Sequence, residues 1–151
     1  MTEQMGKPFD LLLGRKTFEI FASYWPDHQT EGAGINKATK YVVSKTLNES
    51  DWDTSVFLGG DSIEKIRQLK QGEGPDLQVY GSINLVQALL KHELVDELWL
   101  KIFPVTLGTG KRLFEHGTMP TAYALLDCTS SPSGVIIASF RRAGEVQSGS
   151  F

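Results

Sequence analysis

Three short stretches of this chain carry residues that could hold a phosphate. Gly14-Arg15-Lys16-Thr17 places two cations and a hydroxyl directly after the apolar run Phe9–Leu13. Arginine can take phosphate oxygens bidentately, and threonine can donate a hydrogen bond. Two cations at a helix start oppose the helix dipole, and this local conflict favours an anion over a merely solvated basic turn. Ser44-Lys45-Thr46 offers a hydroxyl and a cation again, past a second apolar run. Taken alone, it reads as an ordinary polar turn. The third stretch, Leu77 to Leu90, organises the rest: a strand, a turn at Gly81, then an amphipathic helix. Gly81 permits a turn or a close approach that a side chain would block. Ser82 is a good N-cap for a helix starting at Ile83. The free N–H groups of a helix start attract phosphate. An ordinary β-α connection also accounts for this stretch by itself. Three such junctions in one α/β chain point further, because ligands in open α/β sheets gather outside the carboxyl ends of the strands.

Other motifs fail on spacing. Gly108-Thr109-Gly110-Lys111 has Val105 where a P-loop needs glycine and Arg112 where it needs Ser or Thr, and no helix opens after Lys111. His92-Glu93-Leu94-Val95-Asp96 lacks the second histidine of a zinc-protease helix. His28, His92 and His116 fit no metal spacing and read as surface residues. Cys128 lies in a strand-like run and reads as a small packing residue. No metal is expected.

The elements that must position the junctions follow from the hydrophobic pattern. Phe9–Gly14, Lys40–Ser44, Ser55–Gly59 and Leu77–Tyr80 read as strands. A helix is expected from about Lys16 to Tyr24, with Phe18, Phe21 and Trp25 inward and Pro26 ending it. Residues 27–38 read as loop. Asp61, with Glu64 three residues on, caps a helix whose apolar face is Ile63, Ile66 and Leu69. Ile83, Val86, Leu89 and Leu90 form one face of the next helix. Beyond His92, Asp96–Phe103 alternates, glycines mark a long excursion, and Tyr123–Thr129 and Val135–Arg141 flank a hairpin connection. Alternating β and α followed by antiparallel β predicts a three-layer α/β domain around a mixed sheet, a single domain over residues 1–151. With 151 residues, 40% hydrophobic and 22% charged, the chain has a globular composition and length enough for a core. A net charge of −3 gives no bulk attraction to nucleic acid or membrane. One cysteine excludes an internal disulfide and fits a cytoplasmic protein.

At these residues the sequence resembles the dihydrofolate reductase superfamily. Within it, the chain is most similar to the C-terminal reductase domain of the bifunctional riboflavin-biosynthesis deaminase-reductase and to stand-alone bacterial proteins of that type. The motifs are Leu13-Gly14-Arg15-Lys16-Thr17, Tyr41-Val42-Val43-Ser44-Lys45, Val79-Tyr80-Gly81-Ser82, Leu94-Val95-Asp96-Glu97-Leu98 and, most specific, Pro104 to Phe114. The resemblance implies a dihydrofolate reductase-like fold, a mixed β-sheet flanked by helices, binding NADPH. It implies that Gly14, Arg15, Lys16 and Thr17 line the cofactor phosphates. Ser44 and Lys45 would lie near the adenosine 2′-phosphate, and Gly81, Ser82, Asn84 and Leu85 would meet the pyrophosphate at a helix start. Hydride would pass to a pteridine-like or ribosylaminopyrimidine substrate.

The family pattern normally opens with a strand and an Asp-Gly-like loop ahead of the counterpart of Phe9, contributing a central strand and much of the substrate pocket. That segment is not found here. The expectation is a fold lacking its first strand, with no catalytic or substrate residue assignable and poor catalysis as it stands. Two classes stay open: a reductase in riboflavin biosynthesis, and a non-catalytic NADP-binding domain. Relatives of this type commonly pair, and Trp99 and Tyr123 look exposed, so a homodimer is expected. Residues 1–8 are polar, with Pro8 unable to join a ladder.

Overall fold

The computed structural model describes residues 6–149. The chain gathers into two compact units, Met1–Val86 and Gln87–Phe151. The first holds a four-stranded parallel sheet in the order β3-β2-β1-β4, built from β1 (Phe9–Gly14), β2 (Lys40–Val43), β3 (Ser55–Leu58) and β4 (Asp76–Gln78). The second holds a three-stranded antiparallel sheet in the order β5-β7-β6, from β5 (Glu97–Ile102), β6 (Ala122–Ser130) and β7 (Ile136–Gly144). The α/β class is as expected, with parallel strands first and antiparallel strands last. Hydrogen bonding divides them into two sheets.

β1 runs through the middle of the parallel sheet. Leu11, Leu12 and Leu13 are all buried, so both its faces are covered. A parallel strand covered on both faces needs a continuous apolar run, which Phe9–Leu13 supplies. Full burial of each leucine contributes roughly 1.5–3 kcal/mol. Against β1 packs α1 (Arg15–Tyr24), whose buried Phe18 meets Trp52 and, edge-on, Phe57 at ring-centroid distances of 5.7 and 5.6 Å. Phe21 and Trp25 join this core as the helical spacing required.

Pro26 ends α1 as expected, within a single 3-10 turn, Trp25–Asp27. Three expectations change. Residues 33–37 form a five-residue helix, α2 (Ala33–Lys37), burying Ile35. Its flanking Gly32 and internal Gly34 hide it from a propensity reading. The strand expected to run to Tyr80 stops at Gln78 and is only partly buried, because β4 is the sheet's edge and pairs with β1 alone. Cys128 is exposed on β6, the edge of the antiparallel sheet, and is not a packing residue. α3 (Ser62–Gln71) keeps its expected cap, the Glu64 N–H donating to Asp61 Oδ1 at 3.3 Å. The β6–β7 connection is the expected tight turn, with Gly134 at φ +84°. Residues 103–121, including the glycine-rich excursion, form no helix or strand. Among the described residues no helix is long and apolar enough to cross a membrane.

One buried charge is set into the first unit. Lys40, at the start of β2, is fully enclosed. Its Nζ donates to the Asn36 carbonyl and to Thr54 Oγ1, each at 2.8 Å, and lies 4.3 Å from the centre of the Trp52 ring. Thr54 passes its own proton to the Ala38 carbonyl at 2.9 Å. Burial holds the ammonium down from 10.5 to about 8, against the opposing pull of Asp53. The folded value lies below the unfolded one, so between them the unfolded chain binds more protons and stability rises with pH. Burial raises the phenols of Tyr41, Tyr80 and Tyr123, which reverses the slope above about pH 10. Urea unfolding should therefore show a midpoint that climbs between pH 8 and 10, by on the order of 1–2 kcal/mol. Lys40→Met should flatten that climb. A slope unchanged in the variant would show that another group causes it.

Candidate phosphate site

The order β3-β2-β1-β4 reverses direction at β1: the chain steps outward to β2 and β3, then crosses back to β4 on the other side. Such a reversal is where the connections after neighbouring strands diverge and leave a crevice at their carboxyl ends. Gly14 ends β1 there and is also the N-cap of α1. Gly81 and Ser82 stand between β4 and α4 (Ile83–Lys91).

The two junctions are bonded to each other. The Gly14 N–H donates to Ser82 Oγ at 3.1 Å, and Ser82 Oγ donates to Thr17 Oγ1 at 2.9 Å. Residues 65 and 68 positions apart in sequence thus lock two helix N-termini together. Neither first turn contains an acidic residue, and α1 has no side-chain cap. Two helix starts, each with first-turn N–H groups and a positive dipole end, therefore lie beside one another. Gly81 has φ +58° and Ser82 φ +49°, both left-handed. A Cβ on Gly81 would stand 3.8 Å from Thr17 Oγ1, an ordinary contact, so that position needs glycine for its conformation more than for space.

The expected role of Ser82 as side-chain cap of its own helix is not what its hydroxyl does. Its carbonyl takes the Val86 N–H at 3.0 Å, but its Oγ is spent on Gly14 and Thr17. A positive φ turns the side chain away from the N–H groups of its own first turn.

The remaining candidates divide into two groups. Arg15 and Lys16 are exposed on the first turn of α1, with Arg15 Nη1 lying 3.4 Å from Glu19 Oε1 one turn on. Both partners are about half exposed, so the pair is weak and exchangeable. Asn84 is exposed on the first turn of α4, whereas Leu85 is buried and can offer a ligand only its N–H. Ser44 and Lys45 follow Val43, the register partner of Gly14, so they leave the sheet at the same end. Ser44 is buried, and its Oγ accepts the Thr46 and Leu47 N–H groups at 3.2 and 2.9 Å. It shapes the turn that presents the exposed Lys45, which has no ion pair among the described residues.

Sequence reasoning passed over Lys40, which reads as an ordinary polar strand end. Only the nearness of Trp52, Asn36 and Thr54 shows that it is enclosed. A cleft of about 490 Å³ opens beside that cluster, lined by Asn36, Trp52, Asp51 and Asp53 among others. Its carboxylates disfavour phosphate, which leaves the junction of Gly14, Thr17 and Ser82 as the candidate anion site.

Residues 1–137 match the RibD C-terminal domain family. The chain is 31% identical over 141 residues to the uncharacterised protein YyaP of Bacillus subtilis, covering 89% of this chain and 74% of that one. To YwjB of the same organism it is 26% identical over 115 residues, 76% of this chain and 63% of the other. Among solved structures, a putative riboflavin biosynthesis protein from Shewanella superposes with a TM-score of 0.74 at 21% identity, covering 95% of this chain and 78% of that one. A pyrimidine reductase-like protein from Corynebacterium diphtheriae gives 0.62 at 14%, covering 90% and 76%. Acinetobacter baumannii RibD gives 0.61 at 15%, covering 89% and 47%. These structural likenesses are of fold.

Gly81→Val should lower stability by about 1–2 kcal/mol through the left-handed backbone alone. For a chain of this size that is a fall of roughly 2–8 °C in melting temperature. Gly59→Ala, with open space around it and no positive φ, should stay within about 0.5 kcal/mol of the parent. Scanning calorimetry of both variants checks the pair, and equal stability of the two would remove the conformational role given to Gly81.

Proposed function

This chain belongs to the RibD C-terminal domain family, and from that premise we propose that it is an NADPH-dependent reductase acting on a reducible heterocycle, pteridine-like or ribosylaminopyrimidine. The family is a reductase domain. The observation that carries the reading is the meeting of two helix N-termini at Gly14, Thr17 and Ser82, free of acidic residues in either first turn. A dinucleotide pyrophosphate suits that place, because backbone N–H groups and dipole ends stabilise its charge.

The residues present fit the cofactor. Gly81 carries no Cβ where the backbone turns toward Thr17, and Thr17 holds a hydroxyl there. In this reading the N–H groups after Gly14 and Ser82, including those of Asn84 and Leu85, hold the pyrophosphate. Arg15 and Lys16 add charge. Lys45, presented by the Ser44 turn, faces the adenosine 2′-phosphate. When bound, NADPH supplies the hydride. The chain's part is to bind it and fix its orientation.

We also read the protein as a cytoplasmic homodimer with small-molecule substrates. Support comes from Trp99, Ile102, Leu125 and Ile136, large apolar residues left exposed on the antiparallel strands. Tyr123 is not among them, being partly buried. Light scattering of the purified chain should return twice the chain mass, and a monodisperse monomer would refute the pairing.

Charge-assisted hydrogen bonds contribute roughly 1.5–3 kcal/mol, and each ~1.4 kcal/mol is tenfold in affinity. Lys45→Glu should therefore weaken NADPH binding about ten- to a hundredfold and leave NADH much less affected. Calorimetric titration with both cofactors checks this, and equal losses would sink the assignment of Lys45. Substrate-dependent loss of reduced-nicotinamide absorbance tests the reductase itself; NADPH binding without turnover of any pteridine or ribosylaminopyrimidine would leave a binding domain instead.

A further inference from the structure

Two of the hydroxyls at the site are not equivalent. A hydroxyl has one proton to give and two lone pairs to receive. Ser82 receives the Gly14 N–H at 3.1 Å and gives its proton to Thr17 at 2.9 Å. It has no proton left for a ligand. Thr17 receives that bond, and its own proton has no acceptor among the described residues. The same hydroxyl stands 3.8 Å from the point where a Cβ on Gly81 would lie, so it faces the turn that glycine keeps open.

Resting on the nucleotide reading above, in which the Thr17 hydroxyl meets the bound phosphate, we propose that the Ser82 hydroxyl is no ligand itself but a positioning group that acts through Thr17. The chain of bonds runs one way: Gly14 N–H to Ser82, Ser82 O–H to Thr17, Thr17 O–H to the anion. Each bond in such a chain polarises the next, so Ser82 strengthens the final donor as well as orienting it. Ser82 holds this place at φ +49°, a conformation uncommon for a residue other than glycine. Such a conformation persists only where its surroundings impose it, and the two hydrogen bonds across the junction do so.

The test is NADPH affinity in a double-mutant cycle, measured well below the melting temperature of every variant. Thr17→Val should weaken binding about ten- to a hundredfold, the range of one charge-assisted hydrogen bond. Thr17→Ser should restore most of it. Ser82→Ala should cost less, about three- to tenfold, and Ser82→Gly should match it while suiting the left-handed backbone, which separates lost positioning from misfolding. On the Thr17→Val background, removal of the Ser82 hydroxyl should cost nothing more. Losses that multiply in the double variant would show that Ser82 touches the ligand independently. A larger loss from Ser82→Gly than from Thr17→Val would show that the chain of bonds runs the other way. Unchanged affinity in both Ser82 variants would reduce Ser82 to a structural tie. Failure of the parent protein to bind NADPH overturns the nucleotide reading itself and this proposal with it, whereas binding with the wrong pattern overturns only the proposal.

Discussion

The parallel pairing of β1 with strands on both of its edges is the constraint on which the first unit depends. Its carboxyl half pairs with β2 and its amino half with β4. Both edges and both faces are therefore occupied, which demands the unbroken apolar run Phe9–Leu13. Because β1 is central, its carboxyl end opens where the strand order reverses. Gly14 stands at that end, and the β4–α4 junction is brought beside it. The polar bond from Gly14 to Ser82 is thus a consequence of sheet order.

Two polar features in the first unit run against local preference, and each is held by bonds from elsewhere in the chain. Lys40 is a fully buried cation at the start of β2, with two acceptors and an aromatic face around it. Thr54, β-branched and at φ +60°, is fixed by the same cluster. An unsatisfied buried ammonium would cost several kcal/mol, roughly, so the cluster is best understood as a whole whose members require one another. At the opposite ends of the strands, Ser82 is held out of its preferred conformation by Gly14 and Thr17. The first cluster centres on the fully buried Lys40, whereas the second is only part-buried and has the exposed Arg15 and Lys16 beside it. That difference is why the second, and not the first, is the candidate for binding.

Much of this protein follows from sequence alone, because local physics suffices for it. The apolar run of β1, short and closed by Gly14, reads as a buried strand. Phe18, Phe21 and Trp25 recur at helical spacing and turn inward. Asp61 followed by Glu64 specifies a helix start. The Ser130–Gly134 segment between two alternating runs is a hairpin turn. The junctions at Gly14, Ser44 and Gly81 are likewise legible as places where a strand ends and the chain turns, since residue type and position are enough to mark them. Tertiary structure decided what depends on neighbours distant in sequence. It enclosed Lys40, which no periodicity distinguishes from a solvated strand end. It left Cys128 on an edge, because strand order, not strand propensity, determines which strand is central. It formed α2 with Gly32 at its start and Gly34 inside it, where burial of Ile35 outweighs weak propensity. And it turned the Ser82 hydroxyl from its own helix to a residue 65 positions earlier, because a hydrogen-bond partner is chosen by distance in space.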